Sequence, residues 1–316
     1  MNAHFNEARE KLAIAPDPLV KAVIVPHAAV RFSGHTAAQA YAALDPAHIR
    51  RVVLLGPSHH TYLSGCAVST FAQLETPLGD LRVDISAAAA LLQSRTFTAL
   101  EHGEDMVEHS LEMQLPFLRF IMGEGADADA DVAVVPIVVG MLTRETAADF
   151  AAMLAPLLAD SGTIAVVSSD FCHWGLRFAY TRYQAPDRAP VTLTQRTPRE
   201  VYSHFPIHAS IAALDRQAMD KISRADGDMR AAAEAFAQNL ALTRNTVCGR
   251  NPIYLLLHAL AALGDTHRFA CRFTHYEQSS ACDSVMDSSV SYAAAVIRAE
   301  ATPDVPPRAA AAPPRA

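Results

Sequence analysis

Three histidines stand where short apolar runs stop. Lys21-Ala-Val-Ile-Val25 leads into Pro26-His27, and Arg51-Val-Val-Leu-Leu55 leads into Gly56-Pro57-Ser58-His59-His60. Thr163-Ile-Ala-Val-Val-Ser-Ser169 leads into Asp170-Phe171-Cys172-His173. Imidazole is the commonest side-chain metal ligand and also the group that exchanges protons near neutral pH. One His at a strand end is usually just a satisfied polar residue. Three repeats of the same arrangement suggest a shared site, because ligands of open α/β sheets bind beyond the carboxyl ends of the strands. Metal ligation and plain strand-end polarity both stand as readings of His27 and His59. His60 is ambiguous, since neighbours on an extended chain point to opposite sides.

Other residues fit the same chemistry. Cys248 lies in the turn Val247-Cys-Gly-Arg-Asn-Pro252 ahead of an apolar helix. A helix N-terminus and the nearby Arg250 are expected to lower its thiol pKa, which suits ligation or nucleophilic attack. The competing reading is a small buried apolar Cys. Asp170 and His173, three apart, suit general acid/base work or the orientation of a ligand, or else a simple cap. Glu112 and His109 share a helix face and are candidates for outer support of a metal site, or for a buried polar helix start. No Walker loop, GxGxxG, HExxH or GxSxG element is present.

The elements that must position these residues follow from periodicity. Apolar runs near 21–25, 51–55, 131–139 and 163–169 read as buried strands, with Pro136 suggesting an edge position or a bulge in the third of these. Helices are expected at 36–44, 85–93, 143–158, 209–221, 229–242 and 253–263, and closing strands at 267–275 and 288–296. Residues 176–200 lack a period and read as a long surface loop. Strands alternating with helices predict an α/β fold, a single domain over 1–300 with a central sheet flanked by helices. From Ala301 to Ala316 the composition collapses to Pro, Ala and Arg, which reads as a disordered tail.

Composition narrows the class of function. Among 316 residues, 51% are apolar and 19% charged, with a formal net charge of −7 and no basic cluster, so no nucleic-acid footprint is visible. No apolar run reaches the ~18–20 residues of a membrane span. The N-terminal stretch lacks the apolar core of a signal peptide. The five cysteines are widely spaced and form no CxxC pair, which suits a reducing, cytoplasmic compartment.

Five segments together resemble a known family: Gly56-Pro-Ser-His-His60, Glu108-His-Ser-Leu-Glu-Met-Gln-Leu-Pro116, Ser168-Ser-Asp-Phe-Cys-His-Trp-Gly175, Cys248-Gly-Arg250 and Asp287-Ser-Ser-Val-Ser-Tyr292. In order, over about residues 21 to 296, they are similar to the Memo family. The resemblance implies a fold like that of class III extradiol dioxygenases and a metal held by His27, His59 and Cys248. It places Asp170 and His173 in the same cleft. Family members bind iron or copper and are linked to redox chemistry. The family's usual Pro-His-Ala-Gly-aromatic motif is replaced here by Pro26-His27-Ala28-Ala29-Val30, which alters one wall of the cleft.

Two functions are carried forward. The first is a non-haem Fe(II) enzyme, oxygenase-like, acting on a small substrate, with His173 as acid/base, Asp170 orienting it, and copper or zinc as alternative ions. The second is a non-catalytic metal- or peptide-binding module on the same scaffold. The resemblance also implies AMMECR1-like and radical SAM partner proteins, from the AmmeMemoRadiSam system. Trp174, beside His173, is expected close to the ion.

Overall fold

The computed structural model describes residues 1–11, 14–123, 132–224, 227–264 and 268–300. The expected tail at 301–316 lies outside these described residues. The strands are β1 Val20–Val25, β2 Arg51–Pro57, β3 Cys66–Val68, β4 Gln73–Leu74, β5 Leu81–Val83, β6 Thr98–Ala99 and β7 Ala133–Val139. They continue with β8 Thr163–Ser168, β9 His173–Trp174, β10 Arg182–Tyr183, β11 Val191–Thr192, β12 Arg268–Gln278 and β13 Ser289–Glu300. The helices are α1 Asn2–Lys11, α2 Val30–Tyr41, α3 Ile85–Gln93, α4 His102–Asp105 and α5 His109–Glu112. They continue with α6 Leu115–Ile121, α7 Arg144–Ala159, α8 Ile207–Ile222, α9 Met229–Thr243 and α10 Arg250–Ala261.

The main sheet has the order β12-β13-β1-β8-β2-β7-β3-β6. Its centre, β1-β8-β2-β7, is parallel, and β13 and β3 add antiparallel neighbours on either side. Alternation splits each central strand between two apolar layers. Ala22, Ile24, Val53, Leu55, Ala165 and Val167 face α7, α9 and α10. Val23, Val25, Val52, Leu54, Ile164 and Val166 face α1, α2 and α6. Both faces are therefore covered, and the architecture is a mixed α/β domain built on one large sheet. No helix among the described residues is long and apolar enough to cross a membrane.

Three expectations change. The Ala-rich helix starts at Val30, ahead of the expected Thr36. Strand β7 is internal rather than an edge, despite Pro136. One side of β7 pairs along its length with β2, while the other is shared by β5 at Ala133–Val134 and β3 at Ile137–Val139. Pro136 falls at the junction, where its carbonyl accepts from Ser69 N–H at 3.0 Å and no ladder partner needs its missing donor.

The third change concerns 176–200, which is more than a surface loop. Tyr183 and Leu193 from this segment join Trp174, Tyr202, Ile211 and Leu214 in a separate core. Trp174 is part of this core. It is 0% exposed, and its Nε1–H donates to Arg182 O at 2.8 Å. As the chain's sole tryptophan, it offers a direct check. Iodide should leave native emission undimmed and quench it only after denaturation; quenching of the native protein would contradict this packing.

Candidate metal centre

Strand order decides which loops meet. β8 lies between β1 and β2, so their carboxyl ends release Ser168-Ser169-Asp170, Pro26-His27 and Ser58-His59 side by side. Helix α5 approaches this end from one face of the sheet, and the loop preceding α10 approaches from the other. Both approaches need glycine. A Cβ on Gly56 would stand 2.5 Å from Ser110 Oγ and 2.8 Å from Leu111 Cδ2. A Cβ on Gly249 would stand 2.3 Å from Ser169 Cβ and 2.6 Å from Ser168 O. Small residues at these two points let Glu108 reach His59 and let Cys248 reach His27.

The ligand atoms of His27, His59 and Cys248 all lie within 4.8 Å of one another. His27 Nε2 is 3.2 Å from Cys248 Sγ, and the His27 and His59 rings meet edge to face at 5.0 Å. The hydrogen-bond inventory fixes the tautomer of each ring. The Ser168 hydroxyl donates to Ser110 O at 2.6 Å and accepts from Gln114 Nε2 at 3.0 Å. Its remaining lone pair accepts from His27 Nδ1–H at 2.8 Å, which leaves Nε2 unprotonated and facing the thiol. Gln114 is held in turn, since Nε2 also donates to Pro26 O and Oε1 accepts from Tyr41 OH.

His59 is held by a carboxylate. Its Nδ1–H donates to Glu108 Oε1 at 2.9 Å and its backbone N–H to Oε2 at 2.7 Å. Burial raises the Glu108 pKa, but these bonds and those from Ser110 outweigh it and bring the carboxyl down to about 2. Glu108 is thus an anion occupied by three N–H donors, counting Ser110 N–H at 3.0 Å. This assigns the support role to Glu108, whereas sequence reasoning placed it on Glu112, which is exposed. His109 stacks on His59 with ring centres 4.5 Å apart.

Asp170 and His173 line the same end of the sheet, and the His173 imidazole acts on the Asp170 carboxyl through space. They sit on extended chain rather than one turn, and one oxygen of Asp170 is directed at the His27 backbone. Its Oδ1 accepts the backbone N–H of His27 at 2.9 Å and of Ala28 at 3.3 Å. Burial raises its pKa above the usual carboxylate range against those bonds and the nearby imidazoles. His173 is oriented by carbonyls instead: Nδ1–H points at Phe171 O (2.9 Å) and Thr246 O (3.1 Å). Both partners only accept, so Nδ1 carries a proton and Nε2 is the nitrogen left to face the cleft.

The electrostatics of Cys248 also differ from expectation. Burial first, and then the Asp170 charge, push its thiol well above the ordinary value, against the lowering expected of a helix N-terminus. Arg250 is exposed and gives no compensation. His27 is held far below the ordinary imidazole value, first by burial and then by His59, His109 and His173. In this state burial favours the neutral forms of His27 and Cys248. The donor set suits a soft or borderline transition ion, which would draw the proton off sulfur.

Comparison with known proteins places the chain in a family. A family model described as "Memo-like protein" matches residues 2–296. The chain belongs to the Memo family. "Protein MEMO1" of Xenopus laevis is 38% identical over 278 residues, covering 88% of this chain and 85% of its own. "Protein memo-1 homolog" of Caenorhabditis elegans is 37% identical, covering 88% of this chain and 72% of its own. "MEMO1 family protein MHO1" of Saccharomyces cerevisiae is also 37% identical, covering 87% of each chain.

In this Memo chain the close approach at Gly249 makes a stability prediction. Gly249→Ala meets Ser169 and backbone, so overpacking should cost about 1–3 kcal/mol in urea unfolding. Gly103→Ala meets nothing within 4 Å and lies in α4. It should shift stability by less than ~1 kcal/mol, toward greater stability. Equal effects of the two changes would contradict the packing described.

Proposed function

We propose that the cleft is a metal centre with His27, His59 and Cys248 as ligands and iron(II) as the ion. On this reading the protein is a metal-dependent oxidoreductase of oxygenase type acting on a small organic substrate. The observation that carries it is the disposition of lone pairs. The imidazole Nδ1 atoms are consumed by Ser168 and Glu108, so both Nε2 atoms are left for one ion beside Cys248 Sγ. Three protein ligands leave coordination positions for exogenous groups, as in the two-His-one-carboxylate oxygenases. A thiolate is softer than a carboxylate, and the set accommodates copper and zinc as well. When bound, iron(II) supplies one-electron redox chemistry.

The remaining roles belong to the chain. His173, with its proton locked on Nδ1 by two carbonyls, uses Nε2 to take a proton from substrate and return it. Asp170 is a positioning residue: it anchors the His27 backbone, and its own N–H donates to Cys248 Sγ at 3.2 Å, which favours the thiolate. All five cysteines are free thiols, which supports a reducing, cytoplasmic location.

Anaerobic purification with metal analysis tests the ligand set. Replacing His27, His59 or Cys248 by Ala should empty the site while the fold survives, and full occupancy in two of the three variants would end the proposal. Glu108→Ala should weaken metal binding by roughly 10–100-fold, as for other supports of ligating histidines, and Glu112→Ala should leave it unchanged. His173→Ala should keep the metal and lose O₂ uptake with a catechol-like substrate by roughly 10²–10⁴-fold. Metal loss in that variant would make His173 a ligand, and tight metal binding without any O₂ uptake in the parent chain would favour the non-catalytic module.

A further inference from the structure

A second convergence of metal-binding side chains, sharing no residue with the first, lies where α2 crosses β12. The feature that creates it is a slip in the pairing of β12 with β13 between Phe273 and His275. Before the slip, Phe269, Cys271 and Phe273 point into the layer of α8, α9 and α10. A strict period of two would send His275 and Glu277 into the same apolar layer. Instead Tyr276 packs there, its hydroxyl reaching Asp215 Oδ2 on α8 at 2.9 Å, while His275 and Glu277 turn towards α2. Bulges commonly re-aim side chains in this way at functional positions.

From α2, Thr36 Oγ1 donates to Glu277 Oε1 at 2.5 Å and thereby fixes the carboxylate. The other oxygen, Oε2, stands 3.7 Å from His35 Nδ1 and 3.7 Å from His275 Nε2. The two rings meet edge to face at 4.8 Å, and the three ligand atoms all lie within 4.8 Å of one another. Separations of 3.7 Å are too long for hydrogen bonds. They are close to the ~3.3 Å between ligand atoms of a tetrahedral ion with bonds of ~2.0–2.1 Å. On the far side of the His35 ring, Nε2 stands 3.4 Å from the Gln39 side-chain nitrogen and 3.6 Å from Glu7 Oε2 of α1. The His35, His275 and Glu277 side chains are 31%, 26% and 32% exposed, which gives an ion access from solvent.

We propose that His35, His275 and Glu277 form a second cation site, which takes a borderline divalent ion such as Zn²⁺. It contains no sulfur, so it differs in chemistry from the cleft and is independent of the function assigned there. An ion bound to it would tie α2 to the edge of the sheet.

Zn²⁺ binding to the full chain, counted by equilibrium dialysis with metal analysis, tests the proposal. Glu277→Gln is the variant of choice, since its amide oxygen can still accept from Thr36, and His275→Ala provides a second lesion. The parent chain should bind two equivalents, and Glu277→Gln one. The double variant His59→Ala/Cys248→Ala should also bind one, and all three changes together none. With Co²⁺ as probe, the equivalent retained by the double variant should show d–d absorption without a thiolate charge-transfer band. Zn²⁺ binding that neither Glu277→Gln nor His275→Ala lowers would overturn the second site. A single equivalent that survives His59→Ala/Cys248→Ala and is lost in Glu277→Gln would leave the second site standing and remove the cleft reading instead.

Discussion

The hydroxyl of Ser168 is the point on which the cleft depends. It sits at the end of β8, between the strands that deliver His27 and His59, and its hydrogen-bonding capacity is filled by three partners. It donates to Ser110 O and accepts from Gln114 Nε2, so the only role left towards His27 is to accept from Nδ1–H. That single constraint decides which nitrogen of His27 faces Cys248. It also joins α5, β1 and β8, because Ser110 belongs to the first and Gln114 grips Pro26 at the end of the second. A side chain without a hydroxyl here would release the ring and leave buried donors and acceptors unmatched.

Around that hydroxyl, charge and burial work against each other. Asp170 and Cys248 are both pushed towards their neutral forms by burial, and each negative charge disfavours the other. His27 is likewise kept neutral. Only Glu108 stays firmly ionised, since three N–H groups surround it. A divalent ion would reverse the balance at the thiol by supplying the missing positive charge. The protein therefore provides a neutral His27 and a neutral thiol, with an anionic support behind His59.

Much of this was legible in the sequence because it is local. Buried parallel strands read as unbroken apolar runs, and a His after a strand-stopping Pro announces itself, so the core strands and the places of His27 and His59 at their ends followed from pattern. The grouping of Cys248 with these two histidines came through the resemblance of long motifs rather than from spacing. What stayed hidden depends on contacts far apart in the chain. Glu108 could not be chosen over Glu112 without knowing that Gly56 lets α5 press onto β2. Ser168 gave no sign of its role, since a Ser at a strand end is unremarkable. Pro136 misled because its cost depends on what lies across from it, and the junction of β3 and β5 removes that cost.

X-ray absorption at the iron edge of anaerobically loaded protein tests the central claim most directly. Occupancy would be established separately by metal analysis. Two nitrogen-type scatterers and one sulfur scatterer are expected in the parent chain, with the sulfur lost in Cys248→Ala. A fully loaded parent chain with no sulfur scatterer would contradict the assignment of His27, His59 and Cys248 to one ion.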